Sequence, residues 1–316
     1  MSQYVGIQTQ IWKNNTRSVL LLIAFPLLLL AMVWVFIFLT TPPELDQVAA
    51  TNDAFINAVP WVILIAGGWF LISWFMHSSM INRMTGSRPL ERKDNKRVYN
   101  LLENLCIQEG VKMPKMQVIE DDSLNAFASG INEKTYTITV TRGLINKLND
   151  EELEGVIAHE LAHIKNRDVR LLIISLIFVG IFAVIGQIAF RSMIYSSLSR
   201  GGGNRGKGGA QAMIIVLVLA LVAYFFSLIF RFALSRKREY MADASAAQMT
   251  RNSKGLASAL RKISGNPKVK TVKSDDVAEM FIENQPDKSS GIMSFISGLF
   301  ATHPPIDKRI KALEQY

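Results

Sequence analysis

Residues 159 to 163 read His-Glu-Leu-Ala-His, two imidazoles four positions apart with a carboxylate between them. On a helix, positions i and i+4 share a face, so His159 and His163 can converge on one ion, and imidazole nitrogen suits zinc. Glu160 is offset by one position. The offset sets its carboxylate beside the open coordination position of the metal, not among the ligands, where it can act as the base that activates an attacking water and then return the proton to a leaving amine. The chemistry expected of this pentapeptide is hydrolysis with one Zn2+ per chain.

Two histidines alone do not hold catalytic zinc, which takes three protein ligands and keeps a fourth position open. His77 and His303 qualify on chemistry. Glu239, in the stretch SRKREYMADAS, is the stronger candidate. Asp243 follows four residues later, so Glu239 can bind the ion while Asp243 orients a ligand imidazole. The competing reading pairs Glu239 with Arg236 or Arg238 on a solvated face. His303 precedes Pro304 and Pro305, which stiffen its loop and suit it to face an oxyanion on the substrate carbonyl; a structural cap would use the same arrangement. His77 reads as a marker of the membrane interface, and Asp168 as a support of the metal helix or an ion-pair partner of Arg167 or Arg170, the pairing being the preferred reading.

The helix that positions His159 should begin at Asn149-Asp150, where Asp150, Glu151 and Glu152 suit the positive end of the helix dipole. Val156, Ile157, Leu161 and Ala162 give it the apolar surroundings of a dry site, and the pattern runs on into an apolar segment. Upstream, a helix is predicted over residues 93 to 109 with Gly110 as its stop, followed by a short strand over 115 to 119. Residues 135 to 141 alternate threonine with Tyr136, Ile138 and Val140, the period-two signature of a half-buried strand. A protease can hold an extended peptide by main-chain hydrogen bonds to an edge strand, and this strand is the expected edge. Asn125, Ala126 and Phe127, with Tyr136 and Ile138, are the expected cleft residues; loop packing and an inner strand are the alternatives. Further helices are predicted over 235 to 249, 256 to 264 and 306 to 314.

A helix needs about 20 mostly apolar residues to cross the hydrocarbon core. Four runs meet or approach this: Val19 to Leu39, Ala54 to Met80, Leu171 to Phe190 and Met213 to Phe230. A cleaved signal peptide is the rival reading of the first, whose apolar region is too long for one. Lys13 and Arg17 precede it, whereas the next loop carries Glu44, Asp46 and Asp53. After the second run come Arg83, Arg88, Arg92, Lys93, Lys96 and Arg97. By the positive-inside tendency the tail and the central polar region face the cytoplasm. The third connection, with Arg191, Arg200, Arg205 and Lys207, runs against that pattern: either the tendency fails there, or this hairpin is buried only partway. Its stretch RGGGNRGKGG lacks the frame of a phosphate loop and reads as a flexible linker.

The chain therefore divides into two N-terminal membrane helices (1–82), a catalytic region with the histidine pair (83–170), a membrane hairpin (171–230) and a second catalytic region with the third ligand (231–316). The fold class expected is an α+β membrane protein, mostly helical, with a small β-sheet and four hydrophobic membrane helices. Hydrophobic residues make up 49% of the chain and its mean hydropathy is positive, +0.21, a combination unusual for a wholly soluble enzyme. A net charge of +9 carried beside apolar runs suits anionic lipid headgroups, with no nucleic acid partner expected. The single Cys106 excludes an intrachain disulfide and a cysteine-based metal cluster.

The strings GVIAHELAHIKNRD, EYMAD, NAFASG and THPPIDKRI, together with the four-run layout, resemble the HtpX family of membrane metallopeptidases, which is related to the CAAX prenyl endopeptidases. The resemblance spans nearly the whole chain; its main departure is the glycine-rich third connection. It implies a zincin-like (gluzincin) catalytic domain, Glu239 as third ligand and Asp243 as its companion. It also implies a multi-pass protein of the bacterial inner (plasma) membrane that cleaves damaged or misassembled membrane proteins and unfolded polypeptides in quality control and the stress response. Two other classes compete. A catalytically idle, zinc-stabilised scaffold would not need Glu160, and a zinc transporter would hold its ligands near mid-membrane instead of flanking the apolar runs.

Overall fold

The computed structural model describes residues 7–42, 46–198, 208–232, 236–269, 280–282 and 304–315. The chain falls into two compact units, one of Met1–Arg17, Met76–Ile173 and Arg231–Tyr316, the other of Ser18–Phe75 and Ile174–Phe230.

Apolar stretches with charges only toward their ends produce the long helices: α1 (Ile7–Thr40), α2 (Gln47–Thr85), α6 (Asp168–Leu198) and α7 (Gly208–Phe232). Pro26 and Pro60 lie inside the first two. Trp61, Ile65 and Phe75 on α2 are 67%, 72% and 78% exposed, which water would penalise and lipid would not. Three helices among the described residues are long and apolar enough to cross a membrane: Trp12–Thr40, Gln47–Thr85 and Asp168–Ile188. The expectation of four is corrected. The described apolar part of α7 is Met213–Phe225, which at 1.5 Å per residue covers roughly 20 Å of a core of about 30 Å. The glycine-rich linker at 200 to 207 lies outside the described residues.

Within the second unit, aromatic rings hold the helices together. Phe25 stacks on Phe178 with centroids 4.5 Å apart, Phe70 meets the same ring at 5.5 Å, and the Trp69 indole donates to the Ile177 carbonyl at 3.3 Å. An apolar cavity of about 240 Å³ lies among Leu22, Leu29, Val62, Phe70 and Ile181.

The first unit contains a four-stranded sheet of β1 (Arg88–Pro89), β2 (Lys115–Ile119), β3 (Ala126–Ser129) and β4 (Thr137–Thr141), in the order β1-β2-β4-β3. β2 and β4 run parallel; β3 is antiparallel to β4, with Phe127 opposite Thr139. The expected edge at 135 to 141 is thereby corrected: β4 is an interior strand buried at every position, and β3 ends the sheet. Alternation of threonine misleads here because Thr137 and Thr141 find hydroxyl partners inside, as when Thr141 Oγ1 donates to the Ser123 carbonyl at 2.6 Å.

Helix α3 (Lys96–Glu109) starts at Asn95, whose side chain accepts from the Val98 N–H, and stops at Gly110, where φ of 63° suits a residue without Cβ. After the short α4 (Arg142–Lys147) comes α5 (Asp150–Lys165), opened by a capping box in which Asn149 and Glu152 each satisfy the other's backbone N–H. α5 packs on α8 (Arg236–Thr250) and α9 (Ser253–Ile263), which α10 (Ile306–Leu313) supports. The expected run of α5 straight into the apolar segment is corrected as well. α5 stops at Lys165, Arg167 takes a positive φ of 59°, and α6 starts afresh at Asp168.

Candidate metal centre

The middle of α5 is buried on all sides: Val156, Ile157, Ala158, His159, Glu160, Leu161 and Ala162. One turn of helix brings the two imidazoles together, with His159 Nε2 and His163 Nε2 3.2 Å apart. From α8, the Glu239 carboxylate reaches both, Oε2 at 3.6 Å from His159 Nε2 and Oε1 at 3.4 Å from His163 Nε2. The three residues offer ligand atoms that all lie within 4.8 Å of one another. Ligands about 2.05 Å from a tetrahedral zinc are separated by roughly 3.3 Å, so the donor set and its spacing fit that ion.

An acid stands beside the far nitrogen of each imidazole. His159 Nδ1 lies 3.0 Å from Asp243 Oδ1, and His163 Nδ1 lies 3.0 Å from Asp168 Oδ2. With Nδ1 protonated toward a carboxylate, the Nε2 lone pairs face each other and the site, the tautomer a metal ligand requires. Asp168 thus orients an imidazole; the expected pairing with Arg167 or Arg170 is not what its carboxylate does. The positive φ at Arg167 turns the chain so that Asp168 returns to the ring one turn behind it.

Among the described residues, four buried carboxylates, Glu160, Asp168, Glu239 and Asp243, surround the two rings, against one buried guanidinium, Arg309. Arg309 sits on α10 with no exposed surface. Its Nε and Nη2 donate to Asp243 at 2.9 and 2.7 Å, and Nη1 donates to the Ile282 carbonyl at 3.0 Å. The excess of negative groups favours added positive charge, which a divalent cation would supply. The same field acts on the side chains. Burial would lower the His159 imidazole, but Asp243 and Glu239 outweigh it and raise the group to about 9. Burial would raise Asp243, yet Arg309 and then His159 take it down to about 2. Burial pushes Glu160 above the usual carboxylate range, only partly opposed by the two histidines. A carboxyl with raised proton affinity is suited to accept and return a proton.

Sequence reasoning did not find Arg309. It lies within the string THPPIDKRI, but nothing in the spacing separates it from the neighbouring Lys308. Of the remaining candidates, His77 is buried on α2 and is not part of the group around the imidazoles. His303 lies outside the described residues. Asn125 is buried, its amide donating to the Pro267 carbonyl at 2.7 Å and accepting from the Ala126 N–H. Phe127 and Ile138 are fully buried, with Phe127 edge-on to Phe281 at 4.9 Å, and Tyr136 is half-buried.

Comparison with known proteins places this geometry in context. Residues 92–316 match peptidase family M48. A protein named "Protease HtpX homolog" from Bacteroides fragilis (strain YCH46) is 55% identical over 321 residues, covering 99% of this chain and all of the relative. One of the same name from Listeria monocytogenes (serotype 4a, strain HCC23) is 36% identical, covering 96% of this chain and 98% of the relative. Among solved structures, the crystal structure of S. mikatae Ste24p aligns with a TM-score of 0.47 at 19% identity, covering 97% of this chain and 67% of that one.

Proposed function

We propose, because this chain belongs to peptidase family M48 and is a zinc metallopeptidase of the HtpX type, that it acts as a membrane-bound endopeptidase on damaged or misfolded membrane proteins, in quality control and the stress response. The observation that carries the reading is the convergence of His159, His163 and Glu239 one residue from the buried Glu160.

In this reading His159, His163 and Glu239 hold the ion. Zinc, when bound, supplies a Lewis acid that polarises the scissile carbonyl and makes water nucleophilic near neutral pH. Glu160 takes the proton from the attacking water as the new C–O bond forms, and passes it to the amide nitrogen as the C–N bond breaks. Asp243 and Asp168 keep the imidazoles in the ligating tautomer, and Arg309 keeps Asp243 in place. Burial of α5 excludes competing water. One end strand of the sheet, β3, packs against α5 and is the one we assign to pairing with an extended substrate, through backbone beyond Ala126, whose N–H and carbonyl are taken by Asn125 Oδ1 and the Ile282 N–H.

The location we propose is the bacterial inner membrane with the metal centre on the cytoplasmic side. Three apolar helices and the basic residues that follow the second of them support it. The test compares wild type with Glu160→Gln in detergent, measuring bound zinc and cleavage of an unfolded polypeptide. Zinc should be retained and cleavage lost by at least about 100-fold; equal cleavage by both proteins rejects the mechanism.

A further inference from the structure

The polar shell of the site does not end at the two acids. Asn14, near the start of α1, has no exposed surface, an unusual place for an amide unless its hydrogens are used. Its Nδ2 donates to Asp168 Oδ1 at 2.7 Å and to the Asn166 carbonyl at 2.8 Å. The other oxygen of the same Asp168 carboxylate faces His163 Nδ1 at 3.0 Å. The segment Met1–Arg17 belongs to the unit that carries the metal centre. Its neighbour Asn15 accepts from Arg167 Nη1 at 3.0 Å. The two asparagines therefore meet the break between α5 and α6 from outside.

We propose that Asn14 is a positioning residue for the zinc site, acting on His163 through Asp168. The proposal rests on the reading of His163 as a ligand. The physical case is one of rotamer control. A carboxylate gripped at one oxygen by an amide that is itself anchored on the Asn166 carbonyl presents its second oxygen in one direction, and so holds the imidazole plane and its tautomer. Without Asn14 the carboxylate can rotate, and the ring it steers gains freedom that metal binding must then remove. The first turns of the N-terminal helix thereby belong to the metal centre, 152 and 154 residues away in sequence from the groups they contact. Asn15 contributes by docking the segment, since its contact is to an exposed arginine and does not touch the acid.

The test uses the full-length protein in detergent. It measures zinc affinity by chelator competition, the visible spectrum of the Co2+-substituted protein, and kcat and KM on an unfolded polypeptide. Asn14→Leu keeps the branched shape and removes both hydrogen bonds, and Asn14→Ala removes them without added bulk; zinc affinity should fall about tenfold in each, the low end of the range for residues behind metal ligands. The cobalt band should shift, and kcat should fall with KM unchanged. Asp168→Ala should also weaken binding, and the double variant should bind no more weakly than Asp168→Ala alone, because that carboxylate carries the effect of Asn14 to His163. Asn15→Ala should stay within about twofold of wild type for zinc, since it leaves the acid untouched. Losses that multiply, or an unchanged affinity and spectrum in Asn14→Leu, would overturn the proposal. So would failure of both Asn14→Leu and Asn14→Ala to fold while Asp168→Ala folds, which would assign Asn14 to the fold. If wild type itself binds no zinc, the ligand reading fails first, and the two failures are distinguishable.

Discussion

Arg309 and Asp243 form a two-pronged, buried ion pair, with donor distances of 2.9 and 2.7 Å, against the imidazole of His159, whose Nε2 lies 3.3 Å from Arg309 Nη2. Removing one partner strands the other charge in the interior. Arg309→Ala should cost ~3–5 kcal/mol of stability. Arg309→Lys should recover only part of it, because an ammonium cannot reproduce the planar fork. Thermal unfolding of the three proteins at matched zinc concentration checks this, and a melting temperature unchanged in Arg309→Ala would refute it.

Acid should loosen the unit through two carboxylates far from the metal. Burial would raise Glu152, but Lys262, Ser258 and the Asn149 N–H together outweigh it and hold the carboxyl below its ordinary value. At Glu120 the Arg142 guanidinium is the largest influence; it and Arg88 overcome burial and lower the group to about 2. Both folded values lie below the unfolded ones, so the stabilisation is complete above about pH 4.5 and is lost as pH falls toward about 2. The melting temperature should decline across that window, and less steeply in an Arg142→Ala, Lys262→Ala double variant. Parallel profiles for the two proteins would rule these pairs out as the cause.

Gly155 lets α5 approach α9. A Cβ there would stand 3.0 Å from the backbone N and Cα of Leu256, so neither helix can yield by turning a side chain. Gly155→Ala should therefore destabilise by ~1–3 kcal/mol, despite alanine's better helix propensity. Denaturant unfolding measures it, and a stabilised variant would contradict the packing described.

Much of this was legible in the chain itself. Asn149 followed by Glu152 announces the start of α5, and the spacing of His159 and His163 announces what the helix carries, because capping and helical periodicity are local properties. Glu239 and Asp243 were legible as an i, i+4 pair of acids. Arg309 was not. Which of many arginines is buried depends on contacts 66 residues distant, and local pattern carries no such information. Asp168 was misread for a related reason. A positive φ at Arg167 decides whether it faces its arginine neighbours or the histidine behind it, and no residue type there announces that turn. Strand order was equally hidden, since alternation reports on faces and not on which strand ends the sheet.

Metal removal should weaken the fold, because the ligands come from α5 and α8 and the ion links them. Free zinc at 1,000 times its dissociation constant should add about 4 kcal/mol relative to the chelated protein. Melting curves with chelator, and after zinc is restored, test this; coincident curves would mean that no ion bridges the helices.

The central claim is that one zinc ion is held jointly by His159, His163 and Glu239, and zinc content measured alongside X-ray absorption at the zinc edge tests it most directly. Wild type should carry one zinc per chain with two imidazoles and carboxylate oxygen in its shell, and Glu239→Gln should lose most of that zinc under the same conditions. A wild-type protein that stays metal-free after zinc is resupplied, or a Glu239→Gln variant with full zinc in an unchanged shell, would contradict the account.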